Sequence, residues 1–441
     1  MTTMRGLWTV ANRAILVNAS SLIATTAVTA GLGFVYWLVA ARGFSPAAVG
    51  LASASISAMT LLAYAGMLGL GTMLMGELPR QPGRESSLIT SAVLLSGLAG
   101  GILGLLFAVL APIVSPDFRP LQASPGTIAL FAMGVALTSA TLVADQALIG
   151  LLLGGLQLGR NAAFAVVKLG ALILVSVWLK QKTGLTIYAT WIVGNLLSLV
   201  MLAVLGSARG WLQLGARPQW SALRGLRRAA IGHHGLNLAL QFPVLGLPIV
   251  VTATLTAAFN AYFYVAWMVA VSFVWVAPAA LCLVLYTVSS KTPAMLGRAL
   301  RFTLGVSLAV GLLSNIVLPL IGDPILHLFG GTYAVHAGPS LRILVLAVFP
   351  LIIKDHFVSL CRIDRRLAKA TVLIAAGGLL ELTGAAAGAR LGGLGGLSLG
   401  WAAVICIEAV LMAPAVYRAA AGDRPHQWAS RLPRAAVEAE R

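Results

Sequence analysis

Residues 87–111 read SLITSAVLLSGLAGGILGLLFAVLA and contain no charged side chain. About 20 mostly apolar residues are enough for an α-helix to cross the hydrocarbon core of a bilayer. The run is too long for the roughly 10-residue alternating segments of a membrane β-barrel, and it is apolar on every helical face. Only helices and closed barrels satisfy their backbone hydrogen bonds within lipid, so the stretch predicts a membrane-spanning helix.

Eleven further apolar runs of similar length occupy most of the remaining chain. Charged residues make up 10% of the 441 residues, and the mean hydropathy is +0.94. We therefore predict an all-α polytopic membrane protein with about twelve transmembrane helices and no sizeable soluble domain. The predicted spans are 12–41, 48–76, 87–111, 126–153, 161–180, 185–206, 233–256, 260–289, 299–321, 339–360, 371–389 and 394–418.

Lysine and arginine are distributed unequally over the predicted loops. With a cytoplasmic N-terminus, 22 of the 30 lie on the cytoplasmic side, 5 on the outer side and 3 inside spans. This asymmetry follows the positive-inside rule and predicts that both termini are cytoplasmic. The net charge of +18 is then explained by contact with anionic membrane lipids, and we expect no nucleic acid partner.

The longest predicted loop contains five arginines and divides six spans from six. We interpret the chain as an N-terminal six-helix lobe (1–206), a cytoplasmic basic linker (207–232), a C-terminal six-helix lobe (233–418) and a cytoplasmic basic tail (419–441). Weak similarities between the two halves indicate a parallel repeat about an axis along the membrane normal.

Several glycines have the small-xxx-small spacing that allows helix backbones to approach closely. We expect these pairs to pack helices within the molecule, with homodimerisation as the alternative. These pairs are Gly97 with Gly101, Gly100 with Gly104, Gly384 with Gly388, and Gly396 with Gly400.

The sequence contains none of the common catalytic or nucleotide-binding motifs. There is no P-loop, no His-Glu-x-x-His and no Gly-x-Ser-x-Gly. The three cysteines have no metal-ligand spacing, and His327 and His336, in one predicted outer loop, are nine residues apart. We therefore expect no catalytic residue, no metal and no cofactor, and an enzyme is the weaker class.

Charged residues inside the spans are the candidate functional groups, because each costs at least a few kcal/mol in hydrocarbon. Asp145 and Lys168 lie about 11 residues before and after a common turn, roughly 17 Å into the membrane at 1.5 Å per residue. We expect the two side chains to meet near mid-membrane. They form either a buried ion pair or part of a substrate or ion site.

Three more charged residues lie inside predicted spans of the second half of the chain. Glu381 is near the middle of the eleventh span, with no partner visible in the sequence, and is a candidate proton carrier. Glu408 lies in the cytoplasmic half of the last span. Lys354, next to Asp355, is predicted near the inner end of the tenth span, where a lysine can extend to the interface.

Three short stretches resemble conserved regions of one transporter family. Residues 36–50, YWLVAARGFSPAAVG, are similar to the first hairpin of the polysaccharide (O-antigen and capsule) flippases of the multidrug/oligosaccharidyl-lipid/polysaccharide (MOP) exporter superfamily. Residues 68–72, LGLGT, with Leu78-Pro79-Arg80, resemble the end of its second span, and residues 328–334, LFGGTYA, its ninth-to-tenth connection. Gly76-Glu77 departs from the basic residue expected there.

This resemblance implies a MATE-like, V-shaped bundle of two six-helix lobes. Its members flip undecaprenyl-pyrophosphate-linked oligosaccharide across the bacterial plasma (inner) membrane during polysaccharide biosynthesis, beside polysaccharide polymerases or glycosyltransferases. Lys168 is the first candidate for the substrate phosphates, followed by Arg42, Arg342 and Lys354; interfacial anchoring is the alternative for both arginines. The candidate residues for ion coupling are Asp145, Glu381 and Glu408.

Other functions remain open at this stage. The acidic residues inside spans also suit a drug/cation antiporter of the same superfamily. A membrane-embedded glycosyltransferase or ligase would need a larger extramembrane loop, and a structural partner of a polysaccharide synthase is a further alternative.

Overall fold

The computed structural model describes residues 30–210, 213, 216–291 and 295–422. Within these residues the chain is helical and contains no β-strand. The start of the predicted first span (12–29) and most of the predicted basic tail (423–441) lie outside the described residues. The arginines of these two segments are likewise outside the described residues.

The helices follow one another with short connections. In the first half they are α1 (30–43), α2 (Pro46–Gly66), α3 (Leu70–Glu77), α4 (Glu85–Val114), α5 (Arg119–Gln122), α6 (Pro125–Gly150), α7 (Gly154–Trp178) and α8 (Gly184–Ala208). In the second half they are α9 (Trp220–Thr254), α10 (Ala257–Ala270), α11 (Val276–Lys291), α12 (Leu296–Phe329), α13 (Gly331–Leu346), α14 (Val348–Ile363) and α15 (Leu367–Ala421).

Hydroxyl side chains fix the starts of several of these helices. Each accepts a hydrogen bond from a backbone N–H of the first turn, which would otherwise have no partner in an apolar environment. Ser124 forms a reciprocal capping box with Thr127. The other caps of this kind are Ser45, Thr183 and Thr256.

Nine helices among the described residues are long and apolar enough to cross a membrane, and the bent pair of α13 and α14 makes a tenth. The 55-residue α15 is broken at Gly392 and Gly393, where Gly393 has a φ of +56° that favours glycine. Its two arms cover the eleventh and twelfth predicted spans. The predicted spans two to twelve therefore fall on these helices and arms, with span two covering α2 and α3, span eight covering α10 and α11, and span ten covering parts of α13 and α14.

One predicted loop is wrong. The segment around His327 and His336 is helical, because α12 continues to Phe329 and α13 begins at Gly331. Gly330 has a φ of +136°, a backbone conformation that favours glycine. This single residue connects α12 to α13, so no loop is needed between them. Pro319 and Pro324 lie inside α12 and do not end it.

The predicted close packing within the molecule is confirmed for three of the four glycine pairs; at Gly97 and Gly101 an added Cβ atom would make only ordinary contacts with Ala136, at 3.7 and 3.6 Å. A Cβ atom on Gly388 would lie 2.1 Å from the carbonyl oxygen of Gly396, on the other arm of α15. A Cβ atom on Gly100 of α4 would lie 2.2 Å from Ser139 Oγ of α6. Larger residues at these positions would force the helices apart.

The two halves of the chain meet where α2 packs against α9 and α10. Asn260 Nδ2, on α10, donates to the carbonyl oxygen of Gly50 (2.8 Å) and to Ser53 Oγ (3.0 Å). Asp117, between α4 and α5, accepts a hydrogen bond from the backbone N–H of Ala257 at 2.6 Å. The halves are thus joined by helix contact and by polar contacts to the main chain.

Gly50 gives a direct test of this contact. A Cβ atom there would lie 1.5 Å from the main-chain oxygen of Ala257, which cannot rotate away. We expect Gly50→Ala to destabilise the protein by about 1–3 kcal/mol through forced separation of α2 and α10. Thermal unfolding in detergent measures the loss. Gly170→Ala is the control, because nothing lies within 4 Å of its added methyl group; equal unfolding temperatures for the two variants would contradict the contact.

Candidate functional site

Asp145 is bound by Arg160, and the predicted Asp145–Lys168 pair is wrong. Arg160 Nε lies 2.7 Å from Asp145 Oδ1, and its second nitrogen lies 2.6 Å from Oδ2, a bidentate ion pair between α6 and α7. The prediction failed because α7 begins at Gly154, so Arg160 lies inside the helix and not in the preceding loop. Lys168 is eight residues further along α7, about 12 Å at 1.5 Å per residue.

Lys168 occupies an aromatic pocket in the first half, formed by Tyr36, Phe164 and Trp191. Its Nζ lies 3.8 Å from the ring centre of Trp191, 4.6 Å from that of Phe164 and 5.1 Å from that of Tyr36. Only 6% of the residue is exposed, and no described carboxylate lies within salt-bridge distance of it. Cation–π attraction holds the ammonium, which lies near the middle of α7.

The rings of this aromatic pocket are themselves held in place. The Tyr36 hydroxyl donates to the carbonyl oxygen of Ile187 at 3.1 Å and lies 2.7 Å from Thr190 Oγ1. Trp191 makes edge-to-face contacts with both Tyr36 and Phe164. The ammonium therefore lies in a preformed setting of low polarity, where an arriving anion would meet little competition from water.

Lys354 lies in a second charged group, which we call the Lys354 cluster: Lys354 of α14, with Glu381 and Glu408 of the two α15 arms. Its Nζ lies 2.5 Å from Glu381 Oε1 and 2.6 Å from Glu408 Oε2. Trp401 Nε1 donates to Glu381 Oε2 at 2.8 Å. The cluster joins three of the predicted site residues, and Glu381 does have a partner.

The expected extension of Lys354 towards the membrane interface is wrong. The bend between α13 and α14 places it two turns inside α14, where only 5% of the residue is exposed. Two carboxylates share this one ammonium, so the Lys354 cluster carries a formal excess of one negative charge. Glu408 Oε2 is within hydrogen-bond distance of Lys354 Nζ, whereas Glu408 Oε1 has no hydrogen-bond partner among the described residues. Glu408 can therefore accept a further donor.

A cavity of about 170 Å³ opens beside this cluster, between α9, α10, α11, α14 and α15. Its walls are mostly apolar, and its polar side chains are Lys354, Asp355 and Glu381. Three tryptophans also line it: Trp267, Trp275 and Trp401.

A short π-helical segment, Val271–Trp275, joins α10 to α11 directly beside this cavity. Such widened turns are rare and occur frequently at functional sites. The segment ends at Trp275, and Pro278 follows in the cavity wall. The sequence patterns contain no signal for the π-helical turn.

Arg42 and Arg342 lie away from both charged sites. Arg42 Nε donates to the carbonyl oxygen of Leu328 at 2.6 Å, and its terminal nitrogen donates to that of His327 at 3.0 Å. Arg42 thereby binds the C-terminal end of α12, where a cation is favourable. Arg342 is exposed and lies 3.9 Å from Asp323, and neither arginine lines the cavity.

The part of the chain that the structure describes contains no group of three His, Cys, Asp or Glu residues able to hold a metal ion. The two sites provide an ammonium among aromatic rings and a charged cluster beside a tryptophan-lined cavity. Both arrangements suit binding, because no nucleophile is paired with a base in either.

No family model and no curated protein matches the sequence. Among solved structures, an inward-facing MATE-family multidrug resistance transporter of the MOP superfamily is 16% identical with a TM-score of 0.62, covering 89% of this chain and 94% of that one. An outward-facing MATE-family transporter is 13% identical with a TM-score of 0.63, covering 92% and 96%. A MOP superfamily transporter from Pyrococcus furiosus is 15% identical with a TM-score of 0.61, covering 92% and 96%; it is described as having a binding pocket of reverse polarity that suggests a different function.

At these identities the comparison establishes the fold. The chain has the all-α fold of MATE-family transporters, as the sequence predicted, and it is a multi-pass membrane protein.

Proposed function

We propose that the protein is a MOP-type transporter that flips undecaprenyl-pyrophosphate-linked oligosaccharide across the bacterial plasma membrane by alternating access. The observation that carries this proposal is Lys168, a buried ammonium with no described carboxylate partner. Asp145, the nearest predicted counter-ion, is already occupied by Arg160. A buried cation left without a protein anion is suited to an anionic substrate.

The chemistry of this substrate fits the aromatic pocket around Lys168. A pyrophosphate cannot enter hydrocarbon without groups that replace its hydration, and a lysine offers it a compact point charge. Tyr36, Phe164 and Trp191 exclude water around that charge and strengthen the attraction. The polyprenyl tail stays in the bilayer, and no covalent bond is made or broken.

The Lys354 cluster is the proposed site of ion coupling. Glu408 Oε1 has no described hydrogen-bond partner, and Glu408 shares one ammonium with Glu381, so this carboxylate can accept a proton or a small cation. Asp145 is the weaker coupling candidate, because both of its oxygens are bound by Arg160. The inward-facing and outward-facing structures of the same fold support alternating access.

A drug/cation antiporter is the second candidate function. It is favoured by the formal negative charge of the Lys354 cluster and by the three tryptophans beside it, since aromatic faces and carboxylates attract organic cations. The solved MATE-family relatives in fold are multidrug resistance transporters, which also supports this alternative.

Reconstitution separates the two candidates. We expect proteoliposomes to move a fluorescent undecaprenyl-pyrophosphate-linked glycan between leaflets, so that external dithionite bleaches more than the outer-leaflet share of the dye. Liposomes without protein are the control. Ethidium exchange for protons with no movement of the glycan lipid would overturn the proposal and favour the antiporter.

A further inference from the structure

The tryptophan-lined cavity of the second half differs in chemistry from the aromatic pocket around Lys168. Resting on the proposed function, we infer that this cavity is a saccharide subsite that holds one pyranose ring of the lipid-linked glycan. Lys168 would then contact the phosphates and the second half the sugar. Nothing in the proposed phosphate contact uses the three tryptophans.

The tryptophans form one continuous aromatic wall. The Trp267 ring centre lies 4.8 Å from that of Trp275 and 5.1 Å from that of Trp401, and Trp275 and Trp401 are 5.7 Å apart. The C–H groups on one face of a pyranose ring are weakly positive, and they pack well on the negative face of an indole. Such a wall binds the apolar side of a sugar.

Trp275 is the member of this wall best placed to contact a ligand. Trp267 and Trp401 are buried, whereas Trp275 is partly exposed. The Trp401 indole is already bound to Glu381, but the buried Nε1 of Trp275 has no hydrogen-bond partner.

The polar side chains of the cavity match the other side of a sugar. Lys354 is a donor, and Asp355 and Glu381 are acceptors. Sugar hydroxyls both donate and accept, so they can use donors and acceptors set beside an aromatic wall.

The size of the cavity favours one sugar ring. Its volume is about 170 Å³. Sites that enclose drug-sized ligands usually measure about 300–1,000 Å³. The cavity is therefore small for a polycyclic drug and suitable for a single ring.

The test compares lipid with and without a sugar. Full-length protein in nanodiscs is titrated with bare undecaprenyl pyrophosphate and with forms carrying one N-acetylglucosamine, N-acetylgalactosamine, glucose or galactose. We expect at least one glycosylated form to bind about 10-fold tighter than the bare lipid, as stacking and one hydrogen bond would give. In Trp275→Ala this preference is expected to fall below about twofold, and Trp275→Phe is expected to keep part of it.

Two further variants keep the test decisive. Ala279→Phe fills the cavity without removing a tryptophan, so it should also remove the preference if Trp275→Ala fails to fold. Trp178→Ala is the matched control, because Trp178 is 79% exposed and outside the cavity. Equal binding of all five lipids by the wild type, or a preference that survives both cavity variants, would overturn the subsite and leave the proposed function standing. Failure to bind any of the five would overturn both.

Discussion

Lys168→Ala is expected to abolish complementation of a flippase-deficient strain while the protein remains in the membrane at its normal level. Among the described residues, Lys168 carries the only charge in the aromatic pocket, and its removal takes a counter-ion from no described carboxylate. A hydrogen bond to a charged group contributes about 1.5–3 kcal/mol, and two phosphates are available to it. Surface polysaccharide and membrane protein level are measured together.

Two variants control this experiment. Lys168→Arg keeps the charge with a different shape, so partial activity is expected. Lys180→Ala removes an exposed lysine that follows α7 and should complement fully. Full complementation by Lys168→Ala would show that the residue does not bind substrate, and loss of the protein from the membrane would show that it serves stability instead.

Lys354→Met is expected to cause the largest loss of stability. It leaves Glu381 and Glu408 buried together with no cation, and breaking a buried ion pair costs about 3–5 kcal/mol. Thermal unfolding of the purified protein measures the effect. The triple variant with Glu381→Gln and Glu408→Gln should recover part of the loss, because it removes the stranded charges.

An exposed ion pair provides the matched comparison for Lys354. Arg80 pairs with Glu77 at 2.9 Å, but 73% of the Arg80 side chain is exposed. Arg80→Ala should therefore cost less than about 1 kcal/mol. Similar losses for Arg80→Ala and Lys354→Met would mean that water reaches the Lys354 cluster and that its charges are not truly buried.

The apolar runs were sufficient to predict the all-α fold, because a lipid-crossing segment must be long, helical and uncharged. The ends of the helices were harder to predict, and the start of α7 determined which residue pairs with Asp145. The predicted fifth span begins at residue 161, which leaves Arg160 in the preceding loop, whereas α7 begins six residues before Arg160. That difference changed the partner of Asp145.

The Lys354 cluster could not be assembled from the sequence, since its three members lie on α14 and on both arms of α15. Each residue was found individually by its charge within an apolar run, but the pairing depends on helix rotation and on the bend before α14. The aromatic pocket around Lys168 could not be predicted from the sequence either, because aromatic residues are common in membrane helices and their spacing does not indicate which of them meet.

Arg42 contacts the end of α12 through main-chain oxygens alone, those of His327 and Leu328. Every amino acid supplies such an oxygen, so the side chains at positions 327 and 328 can vary. The arginine at position 42 cannot vary in the same way, because its side chain supplies the donors. The same asymmetry holds at Asp117, which accepts from the backbone of Ala257. Correlated substitutions are therefore not expected at Arg42 and Asp117, and contact inference from covariation would miss these two junctions between the halves.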